Sequence, residues 1–130
     1  MIIAVDFDGT LCENRWPGVG APNKKLIEKL IGMRWDGHKV ILWTMRTHKP
    51  YGDDHRDLLQ EAVAYCENYG LVFDGVNEPD PENAETFGND SRKIYADIYI
   101  DDHNANALFA REYLIPFTKN LAAQSKLTGE

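Results

Sequence analysis

At 130 residues the chain is near the commonest size for one domain, and its 43% hydrophobic content is enough for one buried core. The net charge of -7 argues against an extended nucleic-acid or acidic-membrane surface, because a phosphate backbone is bound by clustered Lys and Arg. No apolar run approaches the ~20 residues of a membrane span, and Met1–Val5 is too short for a signal h-region, so the chain reads as a cytoplasmic protein forming a single domain, 1–130.

Ile2 to Val5 is a continuous apolar run, the pattern of a strand buried on both faces in a parallel sheet. Residues 11–21 are irregular, with turns marked by Pro17, Gly18 and Gly20. Pro22 to Trp35 predicts a helix whose stripe is Leu26, Ile27, Leu30 and Ile31, stopped by Asp36-Gly37. Lys39 to Trp43 is a second buried strand, followed by a loop over Thr47 to Asp53. Asp53 or Asp54 is expected to cap a second helix reaching Tyr69, with Leu58, Leu59, Ala62, Val63 and Cys66 as its stripe and Gly70 as its stop. Leu71 to Phe73 is read as a third strand, Asn77 to Arg92 as a polar, acidic and irregular segment, and Ile98 to Ile100 as a fourth strand. The remainder is expected to be helical, with a short extended piece near Leu114-Ile115. Strands alternating with helices predict an α/β fold, a Rossmann-like three-layer sandwich around a mainly parallel sheet with right-handed crossovers. Cys12 and Cys66 match no zinc or redox spacing and read as structural thiols.

In such sheets ligands bind beyond the carboxyl ends of the strands. The first strand is followed by Asp6, Asp8, Gly9 and Thr10, the second by Thr44 and Arg46, and the fourth by Asp101 and Asp102. Two unit charges ~4 Å apart repel by about 4 kcal/mol at an effective dielectric of ~20, so these carboxylates need a cation or a retained proton. The donors are hard oxygens with no Cys or His among them, a set that suits Mg²⁺ beside a substrate phosphate. Carboxylates at i and i+2 suit a nucleophile followed by a general acid and base. Gly9 permits close backbone approach, so that N–H groups near it can hold phosphate oxygens.

These residues carry a family resemblance. Asp6-Phe7-Asp8-Gly9-Thr10-Leu11 resembles the first motif of the haloacid dehalogenase-like phosphatases, and Val40-Ile41-Leu42-Trp43-Thr44 resembles the second. Lys93, ahead of a strand ending in Ile100-Asp101-Asp102, resembles the third and fourth. The resemblance implies Asp6 as nucleophile and metal ligand, and Asp8 as acid and base, ligating metal through its backbone carbonyl. Thr44 and Lys93 would bind the phosphoryl group, Asp101 would complete the metal shell, and Asp102 would be an alternative ligand or lie behind it. The implied reaction is Mg²⁺-dependent hydrolysis of a phosphomonoester through an aspartyl-phosphate. Ile41 to Arg46 and Ser91-Arg92-Lys93 also resemble a short subgroup of these hydrolases from bacteria and phages. Neither interval between motifs has room for a cap domain. A capless site implies either a large substrate that shields the chemistry itself or a homo-oligomer whose neighbouring subunit supplies a lid.

Some residues have two readings. Arg46 could contact phosphate or substrate, or form a surface salt bridge. Trp16 could stack on a base or sugar ring, or pack on its own loop; Trp43 reads as core. The alternative for the whole chain is a catalytically inactive or phospho-accepting regulatory module on the same fold. Open substrates are a nucleotide, a sugar phosphate or a nucleic-acid 3′-phosphate end.

Overall fold

The computed structural model describes residues 1–88 and 92–102. Its elements are β1 (Ile2–Val5), α1 (Lys24–Trp35), β2 (Lys39–Leu42), α2 (Leu58–Asn68), β3 (Gly75–Val76), α3 (Pro81–Phe87) and β4 (Ile98–Ile100). The four strands form one sheet in the order β3-β2-β1-β4, and every pairing is parallel. This is an α/β, Rossmann-like fold.

The two-residue period of a strand puts alternate side chains on opposite faces. Ile3, Val5, Val40, Leu42 and Ile100 pack on one face with Leu26, Ile27 and Leu30 of α1 and Leu59, Ala62 and Cys66 of α2. Ala4 and Ile41 pack on the other face with Ile94 and Ala96, flanked by the half-buried Ile2, Trp43 and Tyr99. Both faces of the sheet are therefore covered, which is why the strands read as unbroken apolar runs. Each fully buried aliphatic side chain is worth about 1.5–3 kcal/mol. No cap domain is present among the described residues, and no helix of theirs is long and apolar enough to cross a membrane.

Three boundaries depart from the sequence expectation. The second helix is capped by Asp57, whose carboxylate accepts from the Gln60 N–H at 2.9 Å, and not by Asp53 or Asp54. Those two acids sit in a tight turn closed by the Tyr51–Arg56 pairing, where the N–H of each residue donates to the other's carbonyl at 2.9 Å. The third strand forms at Gly75–Val76 and not at Leu71 to Phe73. Leu71 is fully buried because it plugs the core where the chain leaves α2, its N–H still bonded to the Cys66 carbonyl at 3.0 Å. Within the expected irregular segment, Pro81–Phe87 is helical. Asp80 accepts from the Asn83 N–H at 3.0 Å, Pro81 opens the first turn, and Gly88 closes the helix in the left-handed region. Periodicity gave no sign of this helix because none of its residues is buried. The extended piece expected near Leu114-Ile115 lies outside the described residues.

The strand order positions the site. From β1 the chain moves to β2 and then β3 on one side, whereas β4 lies on the other side of β1. The carboxyl ends of β1 and β4 therefore flank the point where strand order reverses, which is where open α/β sheets bind ligands.

Candidate metal centre

Asp6 directly follows β1, and its N–H continues the ladder by donating to the Ile100 carbonyl at 2.9 Å. Phe7 is fully buried, its ring edge-on to Tyr65 with centroids 5.7 Å apart. Anchoring Phe7 in the core fixes the two aspartates beside it, and both line one open cleft of about 520 Å³. Among the described residues, Asn14, Trp16, Trp43, Thr44, Met45, Asp101 and Asp102 also line it.

Asp6, Asp101 and Asp102 each offer a carboxylate oxygen, and these oxygens all lie within 4.8 Å of one another. The cluster could hold a metal ion. Its electrostatics point the same way. Burial pushes the Asp6 carboxyl from 3.8 up to about 7, and the negative charges of Asp101, then Asp102 and Asp8, add to the rise against the opposing hydrogen bond from the Phe7 backbone. A divalent cation among these oxygens reverses both causes, replacing lost water with ligands and repulsion with attraction.

The loop after β1 is shaped around the end of β4. Gly9 has φ +81°, and a Cβ there would lie 2.4 Å from Asp102 Oδ2. Only glycine allows both the backbone conformation and that approach. Thr10 is fully buried, and its hydroxyl oxygen accepts from the Asp102 N–H at 3.1 Å. Asn23, also fully buried, joins this loop to α1: its Nδ2 donates to the Thr10 carbonyl at 2.9 Å while its Oδ1 caps the helix by accepting from the Leu26 N–H at 3.2 Å. The Gly9 N–H donates to the Cys12 carbonyl at 3.0 Å, and those of Thr10 and Leu11 donate to the Phe7 carbonyl at 3.1 and 2.9 Å, so these three groups close the turn.

Asp8 lines the cleft but is not part of the carboxylate cluster. Arg46 holds its carboxylate in a fork, Nε to Oδ2 at 2.8 Å and Nη2 to Oδ1 at 2.7 Å. Arg46 is 2% exposed, which corrects both sequence readings of it. It is no surface salt bridge, and its remaining N–H groups donate to the carbonyls of Gly18 at 2.7 Å and of Pro17 and Leu58 at 3.3 Å. A guanidinium has five N–H donors, so none is left for a phosphoryl group.

Thr44 follows β2 and lines the cleft. Asn77 braces it: Asn77 Oδ1 accepts from the Thr44 N–H at 2.8 Å, and Asn77 Nδ2 donates to the Arg46 carbonyl at 3.2 Å. Asn77 does this from φ +53°, a conformation that Asn tolerates better than most residues. Sequence reasoning missed Asn77; its signal was its position, one residue past a strand that was itself placed too early. Asn14 was missed as well, lying in an irregular loop with no pattern to read. Lys93 is not among the described residues lining the cleft; its ammonium lies 5.7 Å from the centre of the Tyr99 ring. Trp16 is 51% exposed, edge-on to Tyr51 with ring centroids 5.2 Å apart, and Met45 is 95% exposed, so the mouth of an acidic cleft carries apolar side chains. Trp43 both packs under the sheet and reaches the lining.

No family model matches the chain, and none of the curated proteins does. Among solved structures, a conserved protein from Bacteroides thetaiotaomicron is 40% identical and superposes with a TM-score of 0.64, over 81% of this chain and 78% of the other.

Proposed function

For a chain that belongs to the same family as the conserved Bacteroides thetaiotaomicron protein, we propose the activity of a Mg²⁺-dependent phosphomonoester hydrolase that works through an aspartyl-phosphate on Asp6. The observation that carries this reading is the meeting of three carboxylates from the ends of adjacent parallel strands within 4.8 Å. The resemblance of the motifs to haloacid dehalogenase-like phosphatases supports it.

Asp6, Asp101 and Asp102 would hold the ion, with Asp8 able to contribute its backbone carbonyl. When bound, Mg²⁺ supplies charge neutralisation at the phosphoryl oxygens. A carboxylate oxygen of Asp6 attacks phosphorus, and the bond from phosphorus to the ester oxygen breaks. Asp8 gives that oxygen a proton that it has first taken from solvent, on a carboxylate lone pair outside the Arg46 fork. In the second half, water attacks phosphorus, Asp8 takes the water's proton, and the bond from phosphorus to Asp6 breaks to release inorganic phosphate. Thr44 offers its hydroxyl to the phosphoryl group, and Lys93 is the cation the motif resemblance assigns to it. Trp16 and Met45 at the mouth suit a leaving group with an apolar face, which keeps nucleotides, sugar phosphates and oligonucleotide 3′ ends as candidates. The cleft is open, so water exclusion falls to the substrate or to a second subunit.

The test is Mg²⁺-dependent release of phosphate from 4-nitrophenyl phosphate by the wild type and by Asp6→Asn, followed by a screen of phosphometabolites and of 3′- and 5′-phosphorylated oligonucleotides. Turnover that is abolished by EDTA and lost in the variant is expected. A wild type inert with Mg²⁺, or an Asp6→Asn protein as active as wild type, overturns the reading. A stable stoichiometric phosphoprotein would instead favour the phospho-accepting module.

A further inference from the structure

Arg46 is a buried charge whose position the metal chemistry does not explain. Its side chain is 0% exposed, yet it lies one residue beyond Met45, which lines the cleft at 95% exposure. Burying a guanidinium is costly unless every donor is used, and here every donor is used. The fork grips both oxygens of Asp8, while the outer edge of the guanidinium grips Pro17, Gly18 and Leu58. Its carbon sits 4.9 Å from the centre of the Phe7 ring. The backbone of Arg46 is fixed as well, its N–H donating to Thr44 Oγ1 at 3.2 Å and its carbonyl accepting from Asn77. One side chain thus ties the loop after β1, the loop carrying Trp16, the loop after β2 and the first turn of α2 together, and the group it holds in place is Asp8.

We infer that Arg46 is the positioning residue for Asp8, setting the direction in which that carboxylate faces the ester oxygen. The inference rests on the phosphatase reading. Arg46 itself touches neither substrate nor metal, since its donors are spent. A point-charge ammonium at this position could pair with one Asp8 oxygen but could not fix both, so the carboxylate would be held and not aimed.

The experiment compares wild type, Arg46→Lys, Asp8→Asn and the double variant on a series of aryl phosphates from 4-nitrophenyl to 4-methoxyphenyl, reading kcat/KM with Mg²⁺. A nitrophenolate leaves with little help from an acid, whereas a methoxyphenolate needs the proton. General acid catalysis contributes ~10²–10⁴-fold, so Arg46→Lys is expected to lose roughly 10²-fold on the methoxyphenyl ester and less than ~10-fold on the nitrophenyl ester. In the Asp8→Asn background the same substitution should change neither. Equal losses on both esters, or an Arg46→Lys effect that persists undiminished without Asp8, would show a fold staple and overturn the inference. A wild type inert on the whole series sinks the phosphatase reading itself, which is a different result from an Arg46→Lys profile parallel to an active wild type. Should Arg46→Lys fail to melt cooperatively, the wild type carries the test by ¹⁵N NMR of its arginine side chains. An Arg46 Nε–H that exchanges slowly, and that stays protected when Mg²⁺ and beryllofluoride are added, is expected. Exchange as fast as that of the exposed Arg15 overturns the clamp.

Discussion

Asp6→Asn tests the electrostatics of the cluster apart from any chemistry. The Asp6 carboxyl titrates near 7 in the metal-free fold against 3.8 ordinarily, and a rise of roughly three pH units at about 1.36 kcal/mol each is worth about 4 kcal/mol. Water in the open cleft screens part of this, so about 2 kcal/mol is a fair expectation. The sign follows from proton binding. Between about pH 4 and 7 the folded protein holds a proton on Asp6 that the unfolded chain has lost, so stability is fullest below 4 and is lost as pH rises through about 7. Asparagine has the same shape and no charge, so it should remove the pH dependence. Thermal melts in EDTA at pH 5.0 and 8.0 are the assay. The Tm of Asp6→Asn minus that of wild type should grow between the two pH values by several degrees, since 1 kcal/mol shifts Tm by about 3–5 °C at this size. Mg²⁺ should raise the wild-type Tm at pH 8.0 more than at pH 5.0, because the metal needs the ionised carboxylate, and should raise the variant little. A difference that is the same at both pH values would mean that Asp6 is not forced against its neighbours, and the cluster argument would fail.

Three further outcomes follow from the same geometry. Gly9→Ala should cost about 1–2 kcal/mol for the left-handed backbone alone, and its Cβ would displace Asp102, lying 2.4 Å from Oδ2. Calorimetry should show weakened metal binding, and unchanged affinity would remove Asp102 from the metal shell. Asn23→Ala should lose about 1–3 kcal/mol in urea unfolding, because it uncaps α1 and strands the buried Thr10 carbonyl; a loss under ~0.5 kcal/mol would refute that account. Trp16→Ala should raise KM for an aryl phosphate several-fold with little change in kcat, and an unaltered KM would exclude Trp16 from the leaving-group site.

What the sequence shows and what it hides divides by range of interaction. The apolar runs in Ile2–Val5 and in Lys39–Leu42 after its lysine announced buried parallel strands, because a strand covered on both faces has no polar alternation to obscure it. The acids after the first and fourth strands were legible because, once a strand is placed, its carboxyl end is placed too. The short β3 was misplaced because Leu71 is as buried as any strand residue while serving a helix exit. The helix Pro81–Phe87 was hidden because it buries nothing, and only Asp80-Pro81 and Gly88 marked its ends. Arg46 was the largest surprise. Nothing in Thr44-Met45-Arg46 separates a cation facing solvent from one turned inward. That choice depends on Asp8, 38 residues away in sequence, and on three carbonyls from two other segments.

The fold grips its own acids through backbone and buried side chains. The Asp6 N–H is bonded to the Ile100 carbonyl, the Asp102 N–H to the Thr10 hydroxyl, and Gly9 leaves the gap that Asp102 enters. These contacts are made by backbone and by a buried hydroxyl. The register of β1 against β4 brings the three carboxylates within 4.8 Å of one another. A site assembled in advance in this way would bind a cation without a cost of reordering, and the repulsion within it shows as a raised Asp6 pKa. Arg46 completes the logic by taking Asp8 out of that cluster. Of the four aspartates that line the cleft among the described residues, Asp8 is paired with a fixed cation, and the other three form the cluster that could hold a metal ion.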